Sequence, residues 1–581
     1  MMATFLLSSA ALQAPAAAAL ATAAAGSATR PNVLIFLIDD MGFSDLGAFG
    51  STNHSTPHID GLVTSGMKFL SWTSAAPICT PSRAALQTGR YPIRTGCIAN
   101  TNAHRVIPTP SSPGGLDPDQ HISIARALSS AGYNTGMSGK WHLGINSDGQ
   151  DRHYTPNAHG YHTYVGSPWT NAPMCAADAD GFSTRHANGP AFCFLTANDT
   201  VVQMPLAIEN FTGTITRHAT DFIDRQQRGC APFFFLMSFF HVHTPLFTNR
   251  TNRGRSAGGE FGDNVEECDD AVGEILGALD RGNHTDDTLV FLLSDNGPYQ
   301  EEGWAHAGRA NWHDPTTGAL LGRLRGGKGQ VYEGGVRMPA AVRWPGVTTP
   351  GSVTHTLVST MDIFPTVLAA ARATAALPAG YVVDGRDLSP VLRDAAAPTA
   401  HRVLLLYCGF TPIAARVFGR WKLFWATQRW HTFDPPDYAI CTQCCNGVVP
   451  AGKLFGVNAT QMCQCDDSAL EWHAAQPIVY DMERDPLETT PLGPSTWPAS
   501  AAPTTYAEVW RAANETRDAM VAKVHPEPRP GGGGTCTAGL PAAARQPCCP
   551  GCHKPLLGPL CVRDADGTSA CTCNDSDPGS L

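Results

Sequence analysis

Residues Val33–Ile38 read VLIFLI and run straight into Asp39-Asp40. Six successive apolar residues leave no polar face, so the run predicts a strand buried on both sides, as in the middle of a parallel sheet. Two further runs repeat the pattern. Leu289–Leu293 (LVFLL) leads into Ser294-Asp295-Asn296, and Phe233–Phe240 leads into His241-Val-His243. Helical spacing lies between the runs, for example at Ile122–Ala131 and Val265–Leu279. Strands alternating with helices predict an α/β fold whose large, mostly parallel sheet is covered on both sides. Ligands of such sheets sit beyond the carboxyl ends of the strands. All three runs place their polar residues at that end, so distant segments should converge on one pocket.

Around this centre the 581-residue chain divides by composition. Residues 1–29 are apolar, Ala-rich and uncharged, with small residues near Ala21-Thr22-Ala23, and read as a secretory signal peptide that lacks the usual basic start. Residues 30–400 hold the α/β pattern. Residues 401–525 carry short strand signals at Val403–Tyr407, Arg416–Trp425 and Ile478–Met482, which predict a smaller antiparallel-sheet domain interrupted by the cysteine-rich stretch Cys441–Cys465. Residues 526–581 begin in a Pro/Gly linker and continue as a Cys-rich tail. Hydrophobic residues make up 43%, enough for a large core, and the net charge of −10 excludes a general nucleic-acid binder. A local pocket can still be positive on an acidic protein. No later uncharged apolar run reaches the roughly 18 residues of a membrane span, so no transmembrane anchor is expected.

Nineteen cysteines suit an oxidising compartment, where Cys441, Cys444, Cys445, Cys463, Cys465, Cys549 and Cys552 read as disulfide partners rather than zinc ligands. The odd count leaves one cysteine for other chemistry. Glycosylation sequons at Asn53, Asn198, Asn210, Asn249, Asn283, Asn458, Asn514 and Asn574 agree with the secretory route.

The chemically richest segment is Cys79-Thr80-Pro81-Ser82-Arg83, continuing to Gly89-Arg90. Thr80 suits a helix N-cap, Pro81 the first helical position and Gly89 the stop. Cys79 would then lie at a helix N-terminus, where free N–H groups favour an anion. Arg83, four residues on, shares its face. A cysteine there is either a nucleophile or an ordinary disulfide partner. Asp39, Asp40, Asp295 and Asn296 offer three carboxylates and an amide oxygen, a hard-donor set for Ca²⁺ or, less well, Mg²⁺. The alternative is two unrelated acidic turns, the expected fate of Asp269-Asp270, Asp286-Asp287 and Asp466-Asp467. Lys140 and His142, two apart, would share one side in extended backbone, as would His241 and His243. Lys328 sits in the glycine-rich Leu324-Arg-Gly-Gly-Lys-Gly. A phosphate-binding P-loop is rejected there, because Gly329 replaces the required Ser/Thr and no strand precedes it.

Cys79-Thr-Pro-Ser-Arg83 resembles the type I sulfatase signature Cys-x-Pro-Ser-Arg, and the likeness extends in order through Asp39-Asp40-Met-Gly, Gly139-Lys140-Trp141-His142, His243-Thr-Pro245, Ser294-Asp295-Asn296-Gly297 and Gly326-Gly-Lys328 to Glu333-Gly-Gly. It covers roughly residues 30–525. Thr101–His104 and Cys549–Cys552 look closest to the N-acetylgalactosamine-6-sulfatase and arylsulfatase A branch. The hydrophobic hairpin of the membrane-anchored steroid-sulfatase branch is not found in the sequence.

The resemblance implies an alkaline-phosphatase-like fold and a sulfuric ester hydrolase acting on glycosaminoglycan, glycolipid or aryl sulfates. It implies that Cys79 becomes formylglycine, installed by the formylglycine-generating enzyme, and that one Ca²⁺ is held by Asp39, Asp40, Asp295, Asn296 and the modified residue 79. It implies that Arg83, Lys140, His243, Lys328 and, more loosely, Thr170 contact substrate, that His243 and Lys328 protonate the leaving alcohol and that His142 acts as base. His241 is then a neighbour. Other readings are a phosphatase or phosphodiesterase of the same superfamily, and an inactive glycoprotein. Expected partners are a sulfated small molecule or glycan and, optionally, a second copy in a homodimer. The expected destination is the lysosome, with secretion as the alternative.

Overall fold

The computed structural model describes residues 30–98, 115–146, 152–170, 193–204, 206–243, 246–299, 324–428, 470–473 and 475–524, with short backbone strands near 312, 320, 561 and 571. The sheet-forming runs fall where the apolar patterning puts them. Strands β1 (Asn32–Ile38), β2 (Met67–Thr73), β3 (Asn134–Lys140), β4 (Thr163–Ser167), β5 (Leu195–Ala197), β6 (Thr200–Gln203), β7 (Phe233–Ser238), β8 (Thr288–Ser294), β9 (Arg337–Arg343), β10 (Ser352–Thr354) and β11 (Val358–Ser359) form one sheet. Its order is β10-β2-β9-β8-β1-β7-β3-β4-β5-β6, with β11 also on β2. The central block β8-β1-β7-β3-β4 is parallel throughout, while β9 pairs antiparallel with both β2 and β8. Every residue of β1, β7 and β8 is buried, which is why these strands carry no polar alternation.

Two groups of helices cover the sheet. One contains α1 (Pro57–Thr64), α4 (Phe211–Asp224) and α5 (Gly259–Arg281); the other contains α2 (Cys79–Thr88), α3 (Ile124–Ser130) and α6 (Ile363–Ala370). Both groups touch β3, so that strand is shielded on its two faces. The resulting core runs from Val33 to Leu392 and includes Phe36, Trp72, Phe235 and Phe291.

The smaller sheet is antiparallel, β12 (Val403–Cys408), β13 (Thr411–Val417), β14 (Trp421–Phe424) and β15 (Ile478–Asp481) in that order, with α7 (Tyr506–Lys523) against it. The single strand expected over Arg416–Trp425 is instead a hairpin. Phe418 and Gly419 both take positive φ, at 52° and 78°, and turn the chain between two strands of similar composition. Cys441–Cys465 and the tail after residue 524 lie outside the described residues, apart from the short strands noted.

Candidate active site

Parallel pairing of β8, β1, β7 and β3 brings four carboxyl ends to one edge. The register aligns Ile38 with Ser294, Leu37 with Ser238, and Gly139 with Ser238, so the strands end nearly level. Asp39 and Asp40 follow β1, Asp295 and Asn296 follow β8, Lys140 closes β3, and His241–His243 follow β7. Gly139 has φ 96°, and a Cβ there would stand 1.7 Å from the Ser238 carbonyl oxygen, so only glycine lets β3 deliver Lys140 this close to β7.

Cys79 opens α2 with its Sγ 3.4 Å from Asp39 Oδ1 and 3.9 Å from Asp40 Oδ1. The cap lies two residues earlier than the sequence suggests. Ile78 is the extended N-cap residue, and Thr80 is already inside the helix. The Thr80 hydroxyl donates instead to the His142 carbonyl at 2.9 Å, tying the two segments together. Arg83 reaches the same cluster from one turn on, as expected. Its Nε and Nη2 lie 2.9 and 2.8 Å from Asp295 Oδ2, and Nη2 is 3.5 Å from Asp39 Oδ1. Lys140 Nζ donates to Asp39 Oδ2, and Lys328 Nζ to Asp40 Oδ2 at 2.7 Å. His243 Nε2 is 3.8 Å from Asp40 Oδ2.

His142 departs from expectation. β3 ends at Lys140, and His142 has φ 59°, so the two do not share the side of an extended strand. Its amide donates to Pro168 and its carbonyl accepts from Thr80, which keeps the residue buried at the same edge. Thr170 is buried two residues beyond Pro168. His241 is a structural neighbour, with Nδ1 3.0 Å from Asn264 Oδ1 and Nε2 2.8 Å from Thr212 Oγ1. Its carbonyl accepts the Asp39 amide at 2.7 Å, stitching the end of β7 to the end of β1.

Asp39, Asp40, Asp295, Arg83, Lys140 and Lys328 are all buried. Each ion alone would cost several kcal/mol in lost hydration, so the three carboxylates and three cations stand only as a mutually paired set. Burial would raise the Asp39 carboxyl, but Lys140, Arg83 and Lys328 outweigh it and hold it well below the usual range. Asp295 is pushed up to about 7 by burial and by the Asp39 charge. Burial, with Asp39 adding, pushes the Cys79 thiol up to about 12. An unmodified thiol there stays protonated at physiological pH and is a poor nucleophile.

One ligand atom from each of Asp39, Asp40, Cys79 and Asp295 lies within 4.8 Å of the others. Asn296 donates through Nδ2 to Asp40 at 2.6 Å, while its Oδ1 is buried with no hydrogen-bond partner. An orphaned amide oxygen beside three carboxylates fits a hard divalent cation. Sequence reasoning missed Ser238, whose hydroxyl accepts from Arg83 Nη1 at 2.7 Å and donates to the Lys140 carbonyl at 2.8 Å. It is the one polar residue in the run Phe233–Phe240, which was the available signal. Ser74 and Ser82 similarly donate to the Asp295 carbonyl, at 2.9 and 2.5 Å.

The cysteine arithmetic needs correction. Cys79, Cys230 and Cys268 are all free thiols among the described residues, so parity does not single out Cys79. Cys193 is disulfide-bonded. Exposed sequon asparagines are Asn53, Asn198, Asn210 and Asn283; Asn249 and Asn514 are half-buried, and Asn458 and Asn574 lie outside the described residues.

A family model described as sulfatase matches residues 31–373, and one described as the C-terminal region of aryl-sulfatase matches residues 399–562. The steryl-sulfatase of Rattus norvegicus is 35% identical over 528 residues, covering 81% of this chain and 86% of its own. The arylsulfatase A of Bos taurus is also 35% identical, over 412 residues, covering 69% of this chain and 76% of its own. Likeness is therefore shared between steryl-sulfatase and arylsulfatase A rather than confined to the branch suggested by Thr101–His104 and Cys549–Cys552, two stretches outside the described residues. No helix among the described residues is long and apolar enough to cross a membrane. In fold, the chain resembles a crystallised sulfatase from Pseudoalteromonas sp., with a TM-score of 0.65, 23% identity and coverage of 85% and 90%. The phosphonate monoester hydrolase of Agrobacterium radiobacter shares the fold at a TM-score of 0.50 and 17% identity, covering 85% and 96%, so architecture alone does not separate sulfate from phosphonate chemistry. The family match and the identities over most of the chain do: the chain belongs to the sulfatase family and is a sulfuric ester hydrolase.

Proposed function

We propose that this enzyme hydrolyses aryl, glycolipid or glycosaminoglycan sulfate esters through a formylglycine made from Cys79, with one Ca²⁺ bound by Asp39, Asp40, Asp295 and Asn296. The observation that carries the reading is the convergence of the Asp39, Asp40, Cys79 and Asp295 ligand atoms within 4.8 Å, under three buried cations. Held by these residues, a Ca²⁺ would supply positive charge to stabilise the negative charge that develops on the sulfate group. The hydrated aldehyde supplies one hydroxyl to attack sulfur and a second whose deprotonation expels sulfate and returns the aldehyde. A serine could not complete that cycle, because its sulfate ester has no second hydroxyl to collapse.

The chain's own residues do the rest. Arg83, oriented by Asp295 and Ser238, binds sulfate oxygens together with Lys140 and Lys328. His243, assisted by Lys328, donates a proton to the departing alkoxide oxygen as its bond to sulfur breaks. His142 accepts the proton from the remaining hydroxyl. Thr170 is a looser candidate for substrate contact. The balance is one ester and one water to one alcohol and one hydrogen sulfate.

The exposed sequons and the disulfide at Cys193 support passage through the secretory pathway, where the formylglycine-generating enzyme would act, with the lysosome as destination. The test combines mass spectrometry of the peptide containing residue 79 with assays of aryl sulfate, steryl sulfate and aryl phosphate. The expected result is an aldehyde at residue 79 and sulfate ester turnover exceeding phosphate turnover. A thiol at residue 79 in fully active protein overturns the mechanism.

A further inference from the structure

We propose that the chain beyond residue 400 sets the position of Lys328, and that Gln428, on the short strand that follows β14, is the positioning residue through which it acts. This rests on the reading that Lys328 binds the sulfate group.

Lys328 lies in Gly326-Gly-Lys-Gly329, and three glycines leave such a loop little conformational preference of its own. Its geometry must come from outside, and the structure supplies two sets of anchors. On the active-site side, the Lys328 amide donates to the Pro298 carbonyl at 2.9 Å and the Gly329 amide to Pro77 at 2.7 Å. On the other side stands Gln428, closing the short strand Ala426–Gln428 and 2% exposed. Its Nε2 donates to the Gly329 carbonyl at 2.8 Å, and its Oε1 accepts the Val331 amide at 2.9 Å. The Tyr332 hydroxyl donates to the Gln428 carbonyl at 3.0 Å. One amide side chain thus grips the loop on both sides of Gln330, beginning at Gly329, the residue after Lys328.

The next residues are fixed by charge. The Glu333 carboxylate is 2.6 Å from Arg337 Nε, 3.3 Å from Arg416 Nη1 and 3.0 Å from Lys422 Nζ. Its amide donates to Glu488 Oε2 at 2.7 Å. Arg416 and Lys422 belong to β13 and β14, so the C-terminal end of the loop is bolted to the small sheet by buried groups. Gln428 acts on the backbone: by holding the Gly329 carbonyl and the Val331 amide it fixes the peptide planes that aim Lys328 at Asp40.

A double-mutant cycle on the full chain tests this. Gln428→Met keeps side-chain length and removes both hydrogen-bonding groups; Gln428→Ala serves if the first variant does not fold. Intact unfolding midpoints and an unchanged aldehyde content at residue 79 establish that the variants are comparable. In the wild-type background kcat/KM for an aryl sulfate should fall about tenfold. In a Lys328→Ala background the same substitution should change kcat/KM less than about twofold, because the group it aims is gone. Equal losses in both backgrounds would show a general structural role and overturn the positioning. A wild type that does not hydrolyse aryl or steryl sulfates overturns the reading of Lys328, and the proposal with it.

Discussion

Cys79 occupies a place where a thiol is of little use. It is buried, 3.4 Å from an ionised Asp39, and held protonated. The smaller hydroxyl of serine fits there, so Cys79→Ser should fold normally. It should release at most one alcohol per enzyme and then stop, trapped as a serine sulfate ester visible as added mass. Continued turnover by that variant would remove the need for an aldehyde. Asn296 makes a second residue-scale case. Its Nδ2 donates to Asp40, but its Oδ1 has no partner, so the burial of that oxygen is unexplained by the chain alone. Asn296→Ala should weaken Ca²⁺ binding by roughly tenfold or more, and should lower the unfolding midpoint of the metal-free protein only by the lost Nδ2 bond to Asp40. Calorimetric titration of Ca²⁺ reads the first effect and thermal unfolding in chelator the second. A large drop in the midpoint without loss of Ca²⁺ affinity would make Asn296 a structural amide.

Among the elements, α1 shows how a long-range partner replaces a local cap. Thr56 makes no side-chain cap, and the orphan amides of His58 and Ile59 donate instead to Asp269 on α5, at 3.2 and 2.7 Å. Burial raises the Asp269 carboxyl to about 6, despite those donors. Between about pH 4 and 6 the folded protein therefore holds a proton that the unfolded chain has lost, and stability falls as pH rises through that window. Asp269→Asn is neutral throughout, so its stability relative to wild type should improve over the same range, measured by urea denaturation at each pH. A difference independent of pH would mean Asp269 titrates normally. The loop carrying Lys328 depends on a different constraint. A Cβ at Gly335 would stand 1.9 Å from the Gln330 carbonyl, so Gly335→Ala should displace the loop and cut kcat/KM by about tenfold or more. β1, β7 and β8 were legible because strands buried on both faces need unbroken apolar runs. The start of α2 lies two residues before the expected one because Thr80 spends its hydroxyl on His142, a contact between segments far apart in sequence. His142 was placed on an extended strand because nothing local signals its left-handed backbone.

At the scale of the whole molecule, the two sheets are not separable bodies. One apolar cluster joins Ala75, Tyr91, Leu357 and Met361 from the first 400 residues to Leu405, Trp421, Leu423 and Val509 beyond them. The Tyr91 hydroxyl accepts the Leu405 amide at 3.0 Å. The convergence of Asp39, Asp295 and His243 followed from strand ends in a parallel sheet, and that of Cys79 only from the family resemblance, but the cluster of Glu333, Arg337, Arg416, Lys422 and Glu488 followed from neither. Its members are spread over about 150 residues; Glu333–Arg337 and Lys422–Glu488 pair within their own segments, and only the docking of the small sheet joins the two pairs and Arg416 into one network. Lys422 is 3.0 Å from Glu333 and 2.8 Å from Glu488, so its single charge is shared between both buried carboxyl groups. Lys422→Met would keep the packing and leave two acids sharing the remaining guanidinium groups. A loss of about 3–5 kcal/mol is expected, as for other broken buried pairs. Because the core is shared, the loss should appear in one cooperative transition, with tryptophan fluorescence and far-UV circular dichroism changing together. An early, separate transition confined to the small sheet would show instead that residues beyond 400 fold on their own and merely rest against the catalytic domain.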